Sequence, residues 1–192
     1  MAPKVKITKE DIINTALDII RKDGEDALNA RNIAAVLNCS TQPVFSNFTN
    51  MDELMGEVVK EAYELYISFL HDEAQRGEYP KYKSFGMAYI KFAKEEKQLF
   101  KLLFMCDRGN SPLIPTADFD ESVDLIMEAN RLTKQQAQLM HLEMWSCVHG
   151  IATMHATSFL MLEWELISDM LTDIYHGLRA KYSEGGNTYE CH

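Results

Sequence analysis

Nowhere does this chain hold about 18 consecutive apolar residues, the length a membrane-crossing helix needs, and no charged-then-apolar leader opens it. A membrane partner and a secretory route are therefore not expected, and the cytoplasm is the expected compartment. Cysteine is scarce: Cys39, Cys106, Cys147 and Cys191 stand far apart with no C-x-x-C pair, which argues against a disulfide framework and a zinc site. His141, His149 and His155 lack a carboxylate at metal spacing, since Glu143 falls off the face shared by His141 and Trp145 and no H-E-x-x-H occurs. A Ser-centred elbow, a P-loop and a Gly-rich nucleotide fingerprint are all missing, so neither an enzyme nor a cofactor is expected. Alternating β patterning of useful length, internal repeats and low-complexity tracts are absent too. Positive charge is in deficit, with 19 Lys+Arg against 29 Asp+Glu and a net charge of −10. Residues 1 to 55 carry six basic and eight acidic side chains, so most of the excess lies beyond them. Such a balance disfavours a polyanion at long range, and a nucleic-acid surface here needs its cations gathered on one face.

What is present is helical periodicity. Thr8, followed three residues later by Asp11, fits a capping box, and Ile12, Ala16, Ile19 and Ile20 continue an apolar stripe that Gly24 can end. Asn29 caps a second helix with Ala30, Ile33, Ala34 and Leu37 on its inner face. Asn38 tolerates the positive φ of a tight turn. Ser40 then caps a third helix whose first turn is Thr41-Gln42-Pro43, where the missing proline N–H does little harm. Phe45 and Phe48 are expected inward. Thr41, Gln42, Ser46 and Asn47 are left outward, residue types that can meet base edges or phosphate oxygens. The spacing is that of a helix-turn-helix, which makes double-stranded DNA the first partner to consider.

The run GEDALNARNIAAVLNCSTQPVFSNFTNMDEL resembles the DNA-binding domain of the TetR family of one-component bacterial regulators. The matching features are Gly24, Ile33-Ala34, the turn before Ser40, the pair Phe45 and Phe48, and Asp52-Glu53-Leu54 opening a fourth helix. None is specific alone; their joint spacing is. The resemblance implies a third helix in the major groove and a second braced on the backbone. It makes Arg31, Thr41, Gln42 and Pro43 base-side contacts, and Asn29, Phe45, Ser46 and Asn47 backbone contacts. Two positions depart from the pattern. Phe45 stands where the family usually has tyrosine and Met51 where it usually has lysine, which removes a hydroxyl donor and a charge from the phosphate contacts. Lys4, Lys6 and Lys9 are positioned to compensate as a basic N-terminal arm.

Every long segment further on reads as helix: 52 to about 75, with Leu54, Val58, Ala62, Leu65 and Phe69 on one side, then about 83–95, 97–105, 119–130, 133–157 and 163–182. The stretch from Cys106 to Ala117 holds Gly109, Pro112 and Pro115 and reads as a loop. The expected organisation is all-α: a helix-turn-helix domain over 1–52, a ligand-binding and dimerisation bundle over 53–184, and a tail over 185–192. Trp145-Ser146-Cys147-Val148-His149-Gly150 resembles the Trp, His-Gly signature of one TetR-type C-terminal subclass. Trp145 and His149 lie one turn apart with His141 a turn before. Gly150, unfavourable in mid-helix by roughly 1 kcal/mol relative to alanine, suggests a close backbone approach or a ligand. These residues read either as a pocket wall or as a core tryptophan with a satisfied histidine. Phe85, Tyr89, Phe92, Phe100, Phe104, Met105 and Met144 read as core by spacing, and the resemblance raises an apolar effector pocket built from them. The eleven methionines suit such a pocket.

Taken together, the resemblance implies a homodimeric, effector-released regulator, a repressor on a near-palindromic operator. The last two helices are its dimer face, offering Leu160, Leu162, Trp164, Ile167, Leu171 and Ile174. The alternative is a TetR-like ligand-sensing protein-interaction module that has lost operator binding; a helical carrier or enzyme built on Trp145 and His149 is a third.

Overall fold

The computed structural model describes residues 7–106 and 117–183. Its elements are α1 (Lys9–Asp23), a 3₁₀ turn (Glu25–Ala27), α2 (Ala30–Val36), α3 (Gln42–Asn47), α4 (Met51–Arg76), α5 (Lys81–Glu95), α6 (Lys97–Phe104), α7 (Ala117–Asn130), α8 (Lys134–Ala156) and α9 (Trp164–Ser183). The fold is all-α. Two compact units divide the chain: α1 to the first part of α4, as far as Tyr66, joined by α6, and the remainder of α4 with α5, α7, α8 and α9. Chain order and packing thus partition differently, since α6 follows α5 in sequence yet belongs to the first unit. The expected tail over 185–192 and nearly all of the expected loop after Cys106 lie outside the described residues.

In the first unit the capping box forms as the sequence predicts: Asp11 N–H donates to Thr8 Oγ1 at 3.1 Å while Thr8 N–H donates to the Asp11 carboxylate at 2.8 Å. The Thr8 backbone donor, then its hydroxyl, hold the Asp11 carboxyl below its ordinary value. Ile12, Ala16 and Ile20 are fully buried. Gly24 ends α1 at φ 87°, a left-handed φ that a side chain would strain. Asn29 accepts from the N–H groups of Arg31 and Asn32 at 3.1 and 3.0 Å. Two donors that no helical carbonyl can satisfy are thereby paired. Asn29→Ala is expected to lower stability by about 1 kcal/mol, measured by urea unfolding.

Asn38 takes φ 50°, as the turn requires. Two expectations about α3 change. Its N-cap is Thr41 rather than Ser40, without a side-chain cap bond, and Pro43 stands in the first turn. Val44 and Phe48, four residues apart, form the buried face at 1% and 2% exposure, and Phe45, one step round from Val44, is 56% exposed. The inward pair is therefore Val44 and Phe48.

Glu53 N–H donates to Asn50 Oδ1 at 2.8 Å and Thr49 N–H to the Glu53 carboxylate at 2.7 Å, which fixes the start of α4. Its buried stripe runs Leu54, Val58, Ala62, Tyr66, Leu70, Glu73. The expected Leu65 and Phe69 are only half-buried. A step of four holds this stripe along the helix further than the three-residue step the sequence suggests.

In the second unit, Thr133 and Gln136 form another capping box at the start of α8. Val123, Ile126, Ala137, Met140 and Tyr182 make a cluster joining α7, α8 and α9. A Cβ placed on Gly86 of α5 would lie 3.3 Å from Leu171 Cδ1 and 3.4 Å from Val148 Cγ2. Gly86 is the close-approach glycine here; a Cβ on Gly150 would meet nothing of this chain within 4 Å. The apolar face expected on the last helices is also revised, because Ile167 and Leu171 are core at 0% and 2% exposure. Among the described residues no helix is long and apolar enough to cross a membrane.

Candidate functional site

Two places hold the residues singled out by sequence. On the first unit, α2 and α3 flank an open groove of about 580 Å³ lined by Asn29, Ala30, Arg31, Asn32, Thr41 and Phe45. Gln42 and Ser46 are exposed on α3, while Pro43 and Asn47 are half-buried. Of the predicted residues, Asn29, Arg31, Thr41 and Phe45 line the groove, with Ala30 and Asn32 added, and Gln42, Pro43, Ser46 and Asn47 do not. Asn32 sits one residue after Arg31 in the first turn of α2, and that adjacency was the signal for it.

Hydrogen bonding sorts these side chains. Ser46 Oγ donates to Gln42 O at 2.8 Å and Asn47 Nδ2 to Pro43 O at 2.8 Å. Asn32 Nδ2 donates to Ala27 O at 2.7 Å, and Asn29 Oδ1 is the α2 cap. Each of these groups has part of its polar capacity committed to its own backbone. Arg31 and Gln42 are exposed, and Arg31 is held in no ion pair among the described residues.

Charge is more restricted than the sequence suggests. Lys9 opens α1 and pairs with Glu57 at 2.6 Å, also lying over the Phe48 ring at 5.2 Å from its centroid. That hydrogen bond and charge hold the Glu57 carboxyl low. Arg21 is bound by Glu96 at 3.1 Å and Asp18 at 3.4 Å. Lys9 therefore braces α1 against α4 rather than extending as a basic arm. Lys4 and Lys6 lie outside the described residues.

The second place is the α5–α8 contact of the second unit. Tyr89, on α5 and 3% exposed, pairs its hydroxyl with His149 Nδ1 at 2.9 Å. The His149 ring stacks on Trp145, centroids 4.8 Å apart and planes 17° from parallel. Two turns earlier, Tyr82 OH meets His141 Nδ1 at 3.0 Å and Phe119 meets the same ring edge-on at 4.8 Å. Both histidines thus have protein partners, and His149 and Trp145 are half-buried. Phe85, Phe92 and Met144 are buried in this unit at 8%, 0% and 5% exposure. Phe100 and Phe104 are not with them: they lie in the first unit, where Phe104 packs edge-on to Tyr66 at 5.0 Å. Helical spacing showed which faces of α5 and α6 are apolar but not that the two helices pack into different units. Among the described residues no His, Cys, Asp and Glu cluster suits a metal ion.

Burial pushes the His149 pKa below the ordinary 6.5 and favours the neutral ring. Between the depressed folded value and the ordinary unfolded one, the unfolded chain binds more protons, so this histidine's contribution to stability is lost as pH falls through that window. NMR titration is expected to place His149 below 6.5, and His149→Gln to remove part of the acid sensitivity of folding.

The all-α fold is similar to that of solved TetR-like structures. Residues 82–173 match the family described as tetracyclin repressor-like, C-terminal domain. That span contains Trp145, His149 and Gly150, and the description names no subclass. Among solved structures, a protein of unknown function from Rhodococcus sp. RHA1 superposes with a TM-score of 0.72 at 18% identity, covering 93% of this chain and 100% of its own. A TetR-like transcriptional regulator from Rhodococcus sp. RHA1 gives 0.58 at 15% identity, with 92% and 96% covered. At these identities the likeness is one of fold. Comparison with curated proteins gave no match.

Proposed function

We propose that the protein is a DNA-binding, ligand-responsive transcriptional regulator that acts without enzymatic chemistry, a cytoplasmic repressor released by a small-molecule effector. The observation that carries this is the α2–α3 face: Arg31 and Thr41 line a groove and Gln42 is exposed on α3, while Val44 and Phe48 fix the helix from within. Arg31, Thr41, Gln42 and Pro43 meet bases; Asn29, Ser46 and Asn47 lie along the backbone. A two-fold dimer sets two such faces about 34–36 Å apart in successive major grooves, hence a near-palindromic operator. Selection of the full-length protein against a randomised duplex library at two salt concentrations tests this. A palindromic site, weakened at the higher salt, is expected; no enrichment at low salt overturns operator binding.

The effector site is placed around Tyr89, Trp145 and His149, with Phe85, Phe92 and Met144 behind them. Phe100 and Phe104, in the first unit, are left to its core. We read the Trp145 to Gly150 run, on its resemblance alone, as the Trp, His-Gly signature. α4 contributes to both units, so an effector that favours one arrangement of α4 alters the recognition helices only through its differential affinity for the two arrangements. Trp145→Ala with an undiminished effector response overturns this assignment.

We put the dimer face on the outer sides of α8 and α9, where Leu139, Leu142 and Leu166 are 41%, 43% and 48% exposed and where a Cβ on Gly150 of α8 would meet nothing of this chain within 4 Å. Gly150→Leu is expected to leave the helical content unchanged and to shift the protein towards monomer in sedimentation. An unaltered dimer places the interface elsewhere.

A second reading, a ligand sensor that has lost operator binding, is favoured by one observation: Lys9 and Arg21 are both neutralised by carboxylates. It predicts no selected site, and an effector-dependent protein partner instead.

A further inference from the structure

We infer that Phe45 reads the C5-methyl group of a thymine in each operator half-site, which makes it a specificity-determining residue instead of a backbone contact. The inference rests on the operator-binding reading above and deepens it.

Phe45 is 56% exposed on a helix whose inner face is already filled by Val44 and Phe48. It shares a face with Thr41 and Gln42, at i, i+1 and i+4, and lines the same groove as Arg31. A phenyl ring has no donor for a phosphate oxygen, so a backbone role leaves it nothing to bond. The major groove offers one apolar group, the thymine methyl, for which aromatic and methyl-bearing side chains are the physical complement.

The surrounding polar groups sharpen the assignment. Ser46 Oγ–H and one amide hydrogen each of Asn47 and Asn32 are held by backbone carbonyls of this chain. What the α2–α3 face presents besides these is the Arg31 guanidinium, the Gln42 amide, the Thr41 hydroxyl and the Phe45 ring. Arg31 and Gln42 suit hydrogen-bonding base edges, and Phe45 supplies the apolar element that distinguishes a T·A step from the others.

The test uses the operator obtained by selection, with each thymine replaced in turn by uracil, which removes only the methyl group. Fluorescence anisotropy with the full-length wild type, Phe45→Ala and Phe45→Leu reads the affinities. One thymine per half-site is expected where uracil weakens the wild type about fourfold, the effect of losing one buried methyl contact. Phe45→Ala is expected to bind the thymine and uracil duplexes alike, and Phe45→Leu to keep part of the discrimination. Circular dichroism checks that both variants fold, as the exposure of the site predicts. A wild type indifferent to uracil at every position overturns the inference, as does a Phe45→Ala variant that discriminates as strongly as the wild type. Both results leave the regulator reading standing, whereas failure to select any site removes that reading and this inference together.

Discussion

Replacing Arg31 and Gln42 together by alanine is expected to weaken operator binding by a factor of about 30 or more, with the folded structure unchanged. Each bidentate base contact contributes roughly 1–3 kcal/mol of discrimination, so losing two gives about 2–6 kcal/mol. Neither side chain supports the fold: both are exposed, and the core beneath them is made by Ile33, Val44 and Phe48 at 0%, 1% and 2% exposure. The loss should be largest on the selected site and smaller on random duplex, because two base contacts are removed together with only one charge. Anisotropy on both duplexes, with thermal unfolding of the variant alongside, checks this. Equal weakening on both, or a lower melting temperature, counts against Arg31 and Gln42 as base readers.

The second large effect concerns a buried charge. Glu73 lies on the inward stripe of α4 with its side chain 4% exposed, and its Oε2 receives Arg76 at 3.3 Å and Lys91 at 3.4 Å. Arg76 is half in solvent, while Lys91 is the more buried partner at 22%. Removing one member of such a pair leaves a charge in a medium that solvates it poorly. Lys91→Met is accordingly expected to destabilise the protein by about 3 kcal/mol. Glu73→Leu combined with Lys91→Met is expected to recover most of that loss, because two apolar side chains need no desolvated partner. Urea unfolding of both single variants and the double gives the coupling directly. If Lys91→Met is as stable as the wild type, Glu73 is compensated from elsewhere and the pair is incidental.

Glu73 also shows what periodicity leaves out. A carboxylate on an apolar stripe reads as a break in the pattern, because the sequence does not show the lysine from α5 that meets it 18 positions away. Leu65 and Phe69 were expected inward for the same reason, since a helix can satisfy three- and four-residue steps equally until a neighbour selects one. Phe45 was expected inward beside Phe48, yet the two are three apart and the packed pair is Val44 with Phe48. Gly150 was the glycine that drew attention, but the close approach is at Gly86, where a Cβ would crowd side chains of α8 and α9.

The sequence by itself determined the all-α class, the order and approximate extent of the helices, and the helix-turn-helix with its outward polar face. It did so because caps, turn residues and apolar spacing act within a few positions of one another: Thr8 with Asp11, Asn29 with Arg31 and Asn32, Thr133 with Gln136. Tertiary structure alone decided which α6 aromatics join the first unit, which histidines find a tyrosine, and which cations are neutralised. Those outcomes depend on contacts between residues 48 to 75 positions apart, such as Lys9 with Glu57, Tyr89 with His149 and Arg21 with Glu96. A local pattern fixes which face of a helix is apolar; only packing decides what that face meets.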